Sequence, residues 1–469
     1  MVFSSPSFLY YFLPVTLILY FLTPMPKGSP RLRNITLLAA SLVFYAWGEP
    51  RYVFLMIAQC ICAWGFSLLI EKHRGTNKSK IFMLISLAVS LSGLIYFKYA
   101  NFFISNVNNL VGTNIPLIRM LMPIGISFYT FQLLSYTIDL YKGQIEIQRN
   151  VLDFSTYVAS FPQLIAGPIV RYADVAKAFT ERVHNFSRFA MGSRRFILGL
   201  GKKMLLANLF GELVEIYKVS GDQSVLFVWL YLIAYTMQIY FDFSGYSDMA
   251  IGLGQVFGFK FPENFNYPYI ADSITNFWRR WHMTLSGWFR DYVYIPLGGN
   301  RVKLLRHVFN IMVVWMLTGF WHGADWNFIL WGGYFGLILL VEKFFIGKAL
   351  DKAPKVLRHI YVMLIVLISW AFFDAVSGFG AAFDTIGRMF GAGGSLASSE
   401  ALYYLRSYTI PIILAVIGVT PLAKKLAEKI EIKQKLTMIL EPLILLIILA
   451  ASTAAMVDGS FNPFIYFRF

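Results

Sequence analysis

The sequence predicts an all-α protein that crosses a membrane many times. Of its 469 residues, 57% are hydrophobic and only 14% are charged, whereas a soluble domain usually contains about 25% charged residues. The mean hydropathy is +0.60. Strands are not expected, because open sheet edges cannot face lipid and the alternation of a barrel is absent. Several apolar runs approach the ~20 residues of a membrane-spanning helix: 8–22, 52–70, 81–96, 225–241, 360–373 and 443–457.

The distribution of charge predicts how the chain is oriented. Most of the 41 Lys and Arg residues lie in short segments between apolar runs, and such residues concentrate in cytoplasmic loops. The predicted inner segments are 25–33, 71–80, 141–150, 171–203, 276–306, 343–358 and 424–435. The N-terminus is therefore expected outside a bacterial inner membrane, with residues 8–22 as a retained first span. The net charge of +16 then reflects topology, and no nucleic-acid partner is expected.

Two apolar stretches cannot cross the membrane if this orientation holds. Residues 153–170 contain Pro162, Gly167 and Pro168, and residues 243–259 are rich in glycine. Both are predicted to be re-entrant or broken helices, which are tolerated where protein or a water-filled cavity surrounds them. About twelve spans remain. Because the chain has neither an internal repeat nor a low-complexity linker, residues 1–469 are predicted to form a single membrane-embedded domain.

The inner segment 276–306 is predicted to contain an amphipathic helix at the membrane interface, in contact with lipid. On a helical projection, its charged residues fall outside one broad aromatic face. That face comprises Trp278, Trp281, His282, Leu285, Trp288, Phe289 and Tyr292.

His322 is the first candidate for a catalytic residue. It ends an apolar run, in the sequence Gly-Phe-Trp-His-Gly-Ala-Asp-Trp-Asn that includes Trp321, Asp325 and Asn327. An ionisable group in such a run suggests a functional role, and an imidazole is suited to proton transfer from a hydroxyl. A buried, hydrogen-bonded structural histidine at a helix break is the alternative.

His282 is the second candidate. It lies beside Trp278 and Trp281, so an interfacial histidine that anchors the helix together with the tryptophans is the alternative interpretation. The adjacent Arg279 and Arg280 suit either phospholipid headgroups or the phosphates of an acyl donor.

Asp242 lies at the end of an apolar run. It fits a substrate or proton site, or a structural role in which it caps a broken helix or is paired.

Motifs of nucleotide-driven motors, serine hydrolases and zinc proteases are absent from the sequence. The two cysteines, Cys60 and Cys62, support neither a disulfide framework nor a metal site.

Several segments together resemble the membrane-bound O-acyltransferase superfamily, and specifically its alginate O-acetyltransferase branch. The resemblance follows nearly the whole chain in order. The carrying segments are 277–282, 288–301 and 319–324, supported by 1–5, 123–128, 161–169, the surroundings of Asp242, and 462–464.

The resemblance implies an O-acetyltransferase whose helices surround a central tunnel. His322 matches the essential histidine of the family, and His282 matches a position that many members fill with Asn or His. The implied donor is a cytoplasmic acyl thioester, acetyl-CoA, which acts as a substrate rather than a permanent cofactor. The implied acceptor is an extracytoplasmic polysaccharide, reached directly or through a partner acyltransferase of the SGNH-hydrolase type. Combined with the predicted topology, this places donor entry near His282 and acyl release outward near His322.

Three other functions remain open at this point. One is transfer of D-alanine toward teichoic acid from a carrier-protein thioester. Another is a transporter of polysaccharide or lipid-linked sugar, because broken helices and intramembrane carboxylates are typical of transporters. The third is a scaffold that channels substrate to an outer enzyme.

Overall fold

The computed structural model contains helices and no strands in the residues it describes, which are 1–119, 121–375, 378–392, 394–431, 434–458 and 464–465. The predicted all-α class is confirmed. Short π-helical or 3₁₀ turns adjoin several helices. The α-helices are α1 Leu13–Leu22, α2 Arg31–Gly48, α3 Tyr52–Lys72, α4 Asn77–Leu94, α5 Ala100–Val111, α6 Ile126–Tyr141, α7 Val151–Ala159, α8 Phe161–Leu164, α9 Tyr172–Val175, α10 Phe186–Gly201, α11 Asn208–Val219, α12 Val225–Val256, α13 Ile274–Trp278, α14 Met283–Phe289, α15 Leu304–His322, α16 Trp326–Val341, α17 Gly347–Lys352, α18 Lys355–Phe373, α19 Phe379–Met389, α20 Ser399–Ser407, α21 Thr409–Gly418, α22 Leu422–Glu431 and α23 Gln434–Asp458.

Within the described ranges, seven helical segments are long and apolar enough to cross a bilayer, or eight if α20 and α21, bent by 53°, form one span. The protein is therefore a multi-pass membrane protein. The predicted count of about twelve spans is not confirmed. The seven segments are Tyr52–Lys72, Asn77–Val111, Val225–Val256, Leu304–His322, Trp326–Lys352, Lys355–Phe373 and Ile439–Asp458.

The chain divides into two compact units. Unit 1 comprises 1–196 and 246–262, and unit 2 comprises 197–245 and 263–469. The single domain 1–469 stays a prediction. All the predicted site residues belong to unit 2. Of the motif at 462–464, Asn462 and Pro463 lie outside the described residues.

Unit 1 contains a buried polar network that joins helices α1, α2 and α7. Asn34 donates from Nδ2 to Asp153 Oδ1 at 2.8 Å and accepts from Arg182 Nη2 at 2.6 Å. Arg182 also donates to the hydroxyl of Tyr20 at 2.9 Å. Because each buried polar group has a partner, the network satisfies the requirement for burying charge away from water.

The break predicted at 153–170 is confirmed. Helix α7 ends at Ala159, α8 covers only Phe161–Leu164, and non-helical chain follows. Gly167 has a φ of +104°, a conformation that L side chains rarely adopt. Nearly all of this stretch is buried in unit 1.

The break predicted within 243–259 is wrong for most of its length. Helix α12 runs unbroken to Val256, and the chain turns only after it. The glycines instead permit close packing: a Cβ added to Gly245 would lie 2.7 Å from the carbonyl oxygen of Gly199 in unit 2.

The continuous helix predicted within 276–306 is also wrong. Helix α13 ends at Trp278 and α14 begins at Met283, because His282 between them has a left-handed backbone with φ +42°. The predicted buried face is nevertheless correct, because its aromatic residues are buried except for the half-buried Tyr292. Of the charged residues predicted outside it, Arg279 and Arg290 are exposed, and Arg280 and Asp291 are half-buried.

Helices α15 and α16 form a tightly packed hairpin in unit 2. A Cβ on Gly319 would lie 2.1 Å from the carbonyl oxygen of Phe328, and one on Gly332 would lie 2.2 Å from that of Trp315. Only glycine permits this approach of two backbones. The hairpin fixes the end of α15, where His322 lies, against α16.

Candidate active site

His322 is the last residue of α15 and is only 2% exposed. Its ring packs nearly perpendicular to that of Trp331, with 5.1 Å between ring centroids. Trp321 and Phe373 complete its surroundings at 4.9 and 5.5 Å. An imidazole in this aromatic environment is shielded from bulk water, as a proton-transfer group in a water-excluding site must be.

His282 lies close to His322, with 6.4 Å between the two ring centroids. It is fully buried, and its ring is perpendicular to that of Phe243 at 4.7 Å. A left-handed backbone at a residue other than glycine is strained and is often found at functional sites. The structure thus brings together both histidines that the sequence singled out.

Asn264 holds His282 from a loop that precedes α13. Its Oδ1 lies 3.0 Å from His282 Nδ1 and accepts from the hydroxyl of Thr284 at 2.8 Å. Its backbone carbonyl accepts from the amide of Met283 at 2.9 Å. Asn264 therefore contacts His282 itself and the two residues that follow it. Among the described residues, His282 Nε2 has no hydrogen-bond partner.

Tryptophans line the region around the two histidines. Trp281 packs against Trp370 at 5.5 Å, and Trp278 packs against Trp331 at 5.7 Å. All four are buried. The indole N–H groups of Trp278, Trp331 and Trp370 make no hydrogen bond within the described part of the chain. A buried donor without a partner is rare in native proteins and calls for an explanation, such as a bound ligand or water.

The two arginines of the motif occupy different environments. Arg279 is exposed. Arg280 is half-buried and donates to Asn276 Oδ1 at 2.8 Å and to the carbonyl of Asn266 at 3.1 Å. Arg279 thus suits a soluble anionic ligand, whereas Arg280 already fixes the loop that carries Asn264.

Asp242 is buried in a structural pairing. Lys203 Nζ lies 2.5 Å from Asp242 Oδ1, and the backbone amide of Ile465 donates to Oδ2 at 2.7 Å. Both carboxylate oxygens are therefore engaged. Phe464 packs on Phe243, which in turn contacts His282, so the pair anchors residues near the histidines.

The remaining predicted residues lie beyond the end of α15. Asp325 is exposed and caps α16 by accepting from the amide of Trp326 at 2.6 Å. Asn327 is buried and donates to the carbonyl of Phe373 at 3.3 Å. Asn327 thus supports a residue in contact with His322, whereas Asp325 makes no described contact with either histidine.

Sequence reasoning missed several residues that build the site. Glu342 caps α13, accepting from the amides of Ile274 at 2.5 Å and Thr275 at 3.0 Å. It is a buried carboxylate in an apolar run, a signal that could have identified it. Trp331 also lies in an apolar run, but nothing in its local sequence distinguishes it from a core tryptophan. Asn264 has no local signal either.

The long apolar helices and the paired buried histidines define a polytopic membrane protein with an enclosed candidate catalytic site. The family model of the membrane-bound O-acyltransferases matches residues 146–373, a range that contains every predicted site residue. The chain is 38% identical to the probable alginate O-acetylase AlgI of Azotobacter vinelandii, over the full length of both. It is 34% identical to the peptidoglycan O-acetyltransferase of Helicobacter pylori, over 80% of this chain and 77% of that protein.

A more partial similarity extends to the teichoic acid D-alanyltransferase of Bacillus subtilis, which is 31% identical over 47% of this chain and 59% of that protein. The full-length similarity to the O-acetylase decides the classification. The chain belongs to the membrane-bound O-acyltransferase family, as its motifs predicted, and is an O-acyltransferase of the membrane.

Proposed function

We propose that this enzyme transfers an acetyl group from a cytoplasmic thioester, acetyl-CoA, to hydroxyl groups of an extracytoplasmic polysaccharide. The observation that carries the proposal is the pair of buried histidines, whose ring centroids lie 6.4 Å apart within aromatic surroundings. One imidazole can accept the proton of a hydroxyl while the other orients a reacting group. The aromatic walls protect the thioester from hydrolysis.

In the proposed reaction, His322 takes the proton from the acceptor hydroxyl as its oxygen attacks the thioester carbon. The tetrahedral intermediate collapses with cleavage of the carbon–sulfur bond. The ester is formed, and the proton on His322 passes to the departing thiolate. The reaction is balanced without an oxidant, reductant or metal.

The oxyanion of the intermediate requires hydrogen-bond donors that are already in place. We assign this role to the indole N–H of Trp331. The indole is buried beside His322, and its N–H has no hydrogen-bond partner in the described part of unit 2. In a site of low dielectric, such a donor has more effect than it would in water.

The relatives support the choice of acyl group and acceptor. The two O-acetyltransferases named above match most or all of the chain, whereas the D-alanyltransferase matches 47% of it. The exposed Arg279 is suited to the phosphates of acetyl-CoA. An SGNH-type partner outside the membrane would receive the acetyl group where transfer to the polymer is indirect.

The first test measures acetyl ester on the surface polysaccharide of cells that produce the wild type or His322→Ala at matched membrane levels. We expect loss of ester with normal polymer export. In nanodiscs, the same variant should lose the acceptor-dependent release of thiol from acetyl-CoA. Supplying the partner in one arm and omitting it in the other distinguishes indirect from direct transfer.

The matched control is His73→Gln, because His73 lies in unit 1 and bonds the carbonyl of Leu69 at the end of its own helix. It should leave the ester content unchanged. Normal ester in His322→Ala cells would remove His322 as the base. Loss of polymer export in that variant would favour transport instead.

A further inference from the structure

The side-chain amide of Asn264 has a single orientation that fits its contacts. The atom facing His282 also lies 3.4 Å from the backbone amide nitrogen of Thr284. A backbone N–H can only donate, so this atom is the amide oxygen. Thr284 Oγ1 donates to the same oxygen at 2.8 Å.

This orientation determines the tautomer of His282. An amide oxygen is only an acceptor, so Nδ1, 3.0 Å away, must carry a proton and donate. In the neutral ring, Nε2 is then unprotonated and presents a lone pair. Nε2 is buried and has no hydrogen-bond partner among the described residues. Leaving a buried acceptor unsatisfied is costly, and a bound donor group would satisfy it.

The surroundings of His282 disfavour a second proton. Burial lowers the pKa of His282 to about 3. The rings in contact with it belong to Phe243 of α12 and to Trp321 and His322 of α15. Asp242 of α12, the neighbour of Phe243 in the chain, is paired with Lys203 of the segment before α11, so the two charges neutralise each other. At neutral pH the ring is therefore neutral, and its Nε2 accepts hydrogen bonds. A ring with so low a pKa is a poor general base, because an effective general base has a pKa near the working pH.

We propose that Asn264 is a positioning residue that locks His282 in the Nδ1–H tautomer, so that Nε2 is a fixed acceptor for a hydrogen-bond donor of the substrate. The reacting proton goes to His322. This inference rests on the proposed function and divides its two histidines into an acceptor and a base. The group bound at Nε2 is either the acceptor hydroxyl or an amide N–H of the thioester arm.

Four variants test the division of roles. Asn264→Asp keeps an acceptor at Nδ1 but stabilises the imidazolium. It should therefore introduce an acid limb, with transfer within about threefold of wild type at pH 9 and at least tenfold lower at pH 6.5. Asn264→Ala should lower acetyl transfer at least tenfold at both pH values. His282→Gln, a neutral amide that cannot titrate, should stay within about tenfold of wild type, whereas His282→Leu should lose more than a hundredfold.

The matched control is Asn310→Asp. Asn310 is another buried amide of unit 2, bonded to the carbonyls of Leu297 and Gly299. This variant should lower the melting temperature and leave the pH profile in place. The KM values separate the two candidate groups: a rise for polysaccharide in His282→Gln assigns Nε2 to the acceptor hydroxyl, and a rise for acetyl-CoA assigns it to the thioester arm.

Nitrogen-15 NMR of histidine-labelled protein reads the tautomer without any assay of activity. The signal lost in His282→Gln should show a protonated Nδ1 and a bare Nε2 at pH 7 in the wild type. A protonated Nε2 would overturn the inference, as would an unshifted pH profile in Asn264→Asp together with inactivity of His282→Gln. Failure of the proposed function gives a different result: acetyl transfer by His322→Ala would then equal that of the wild type.

Discussion

At the scale of the residue, the candidate site consists of the buried pair His322 and His282 and of Asn264, which holds His282 at Nδ1. His322 and His282 were identifiable because an ionisable side chain in apolar surroundings is costly to bury. Asn264 was not, because asparagine is common in turns and its contact with His282 depends on a left-handed turn that no local pattern signals.

The same limit applies to Asp242. The sequence left open whether Asp242 belongs to a substrate site or to a structural pairing. The structure gives it Lys203 as a partner at 2.5 Å. Lys203 was assigned to a basic inner loop, because a sequence shows the sign of a charge but not its burial.

Replacing Trp331 by phenylalanine tests the proposed oxyanion donor. The aromatic packing against His322 is largely kept, but the N–H is lost. Removing one such donor typically lowers kcat by about 10²–10³, so we expect a fall in kcat of about a hundredfold with little change in the KM for acetyl-CoA. Steady-state release of thiol by the protein in nanodiscs measures both.

The comparison for this variant is Trp229→Phe. The indole of Trp229 donates to the carbonyl of Met389 at 3.0 Å and touches neither histidine among the described contacts. It should change stability but not kcat. An unchanged kcat in Trp331→Phe would remove Trp331 from the proposed mechanism.

At the scale of the element, glycine was interpreted too strongly as a helix breaker. In α12, glycines serve close packing and the helix continues to Val256. The opposite error occurred at 276–306, where a regular projection hid the break at His282. Projection predicts which residues are buried, because burial follows the average direction of a side chain. It cannot predict an interruption that is stabilised by Asn264, outside the segment.

Gly319→Ala tests whether the α15–α16 hairpin places His322. The added methyl would meet the carbonyl oxygen of Phe328 at 2.1 Å, so the helices must separate. Overpacking of this kind typically costs about 1–3 kcal/mol. We expect a lower melting temperature and at least tenfold lower acetyl transfer, measured on the same nanodisc preparation.

Gly333→Ala is the matched control for the hairpin. Gly333 lies in α16 next to Gly332, and a Cβ there would have no heavy atom within 4 Å. Alanine should be neutral or stabilising by up to about 1 kcal/mol, because it favours helix. Equal behaviour of the two variants would show that close packing at Gly319 does not hold the site.

At the scale of the whole molecule, composition was sufficient for the class but not for the number of spans. Hydropathy measures how apolar a segment is and does not distinguish lipid from protein as its surroundings. Helix α6 illustrates this limit: it has 16 residues, nearly all buried within unit 1, and is shorter than the ~20 residues of a span. Hydropathy and helix length alone therefore do not decide whether such a helix is one of the spans.

The orientation across the membrane is the last prediction, and it rests on the basic segments. Segments 71–80 and 141–150 are predicted inside, which places the exposed Asn114 between them on the outside. In a background with Cys60 and Cys62 replaced by alanine, Lys78→Cys and Asn114→Cys each supply one exposed thiol. A membrane-impermeant maleimide should label Asn114→Cys in spheroplasts and Lys78→Cys only in inverted vesicles. Both variants should retain acetyl transfer, since neither side chain belongs to unit 2. The reverse pattern would place the N-terminus inside and the basic segments outside. Acetyl-CoA from the cytoplasm would then have to enter from the side opposite to Arg279.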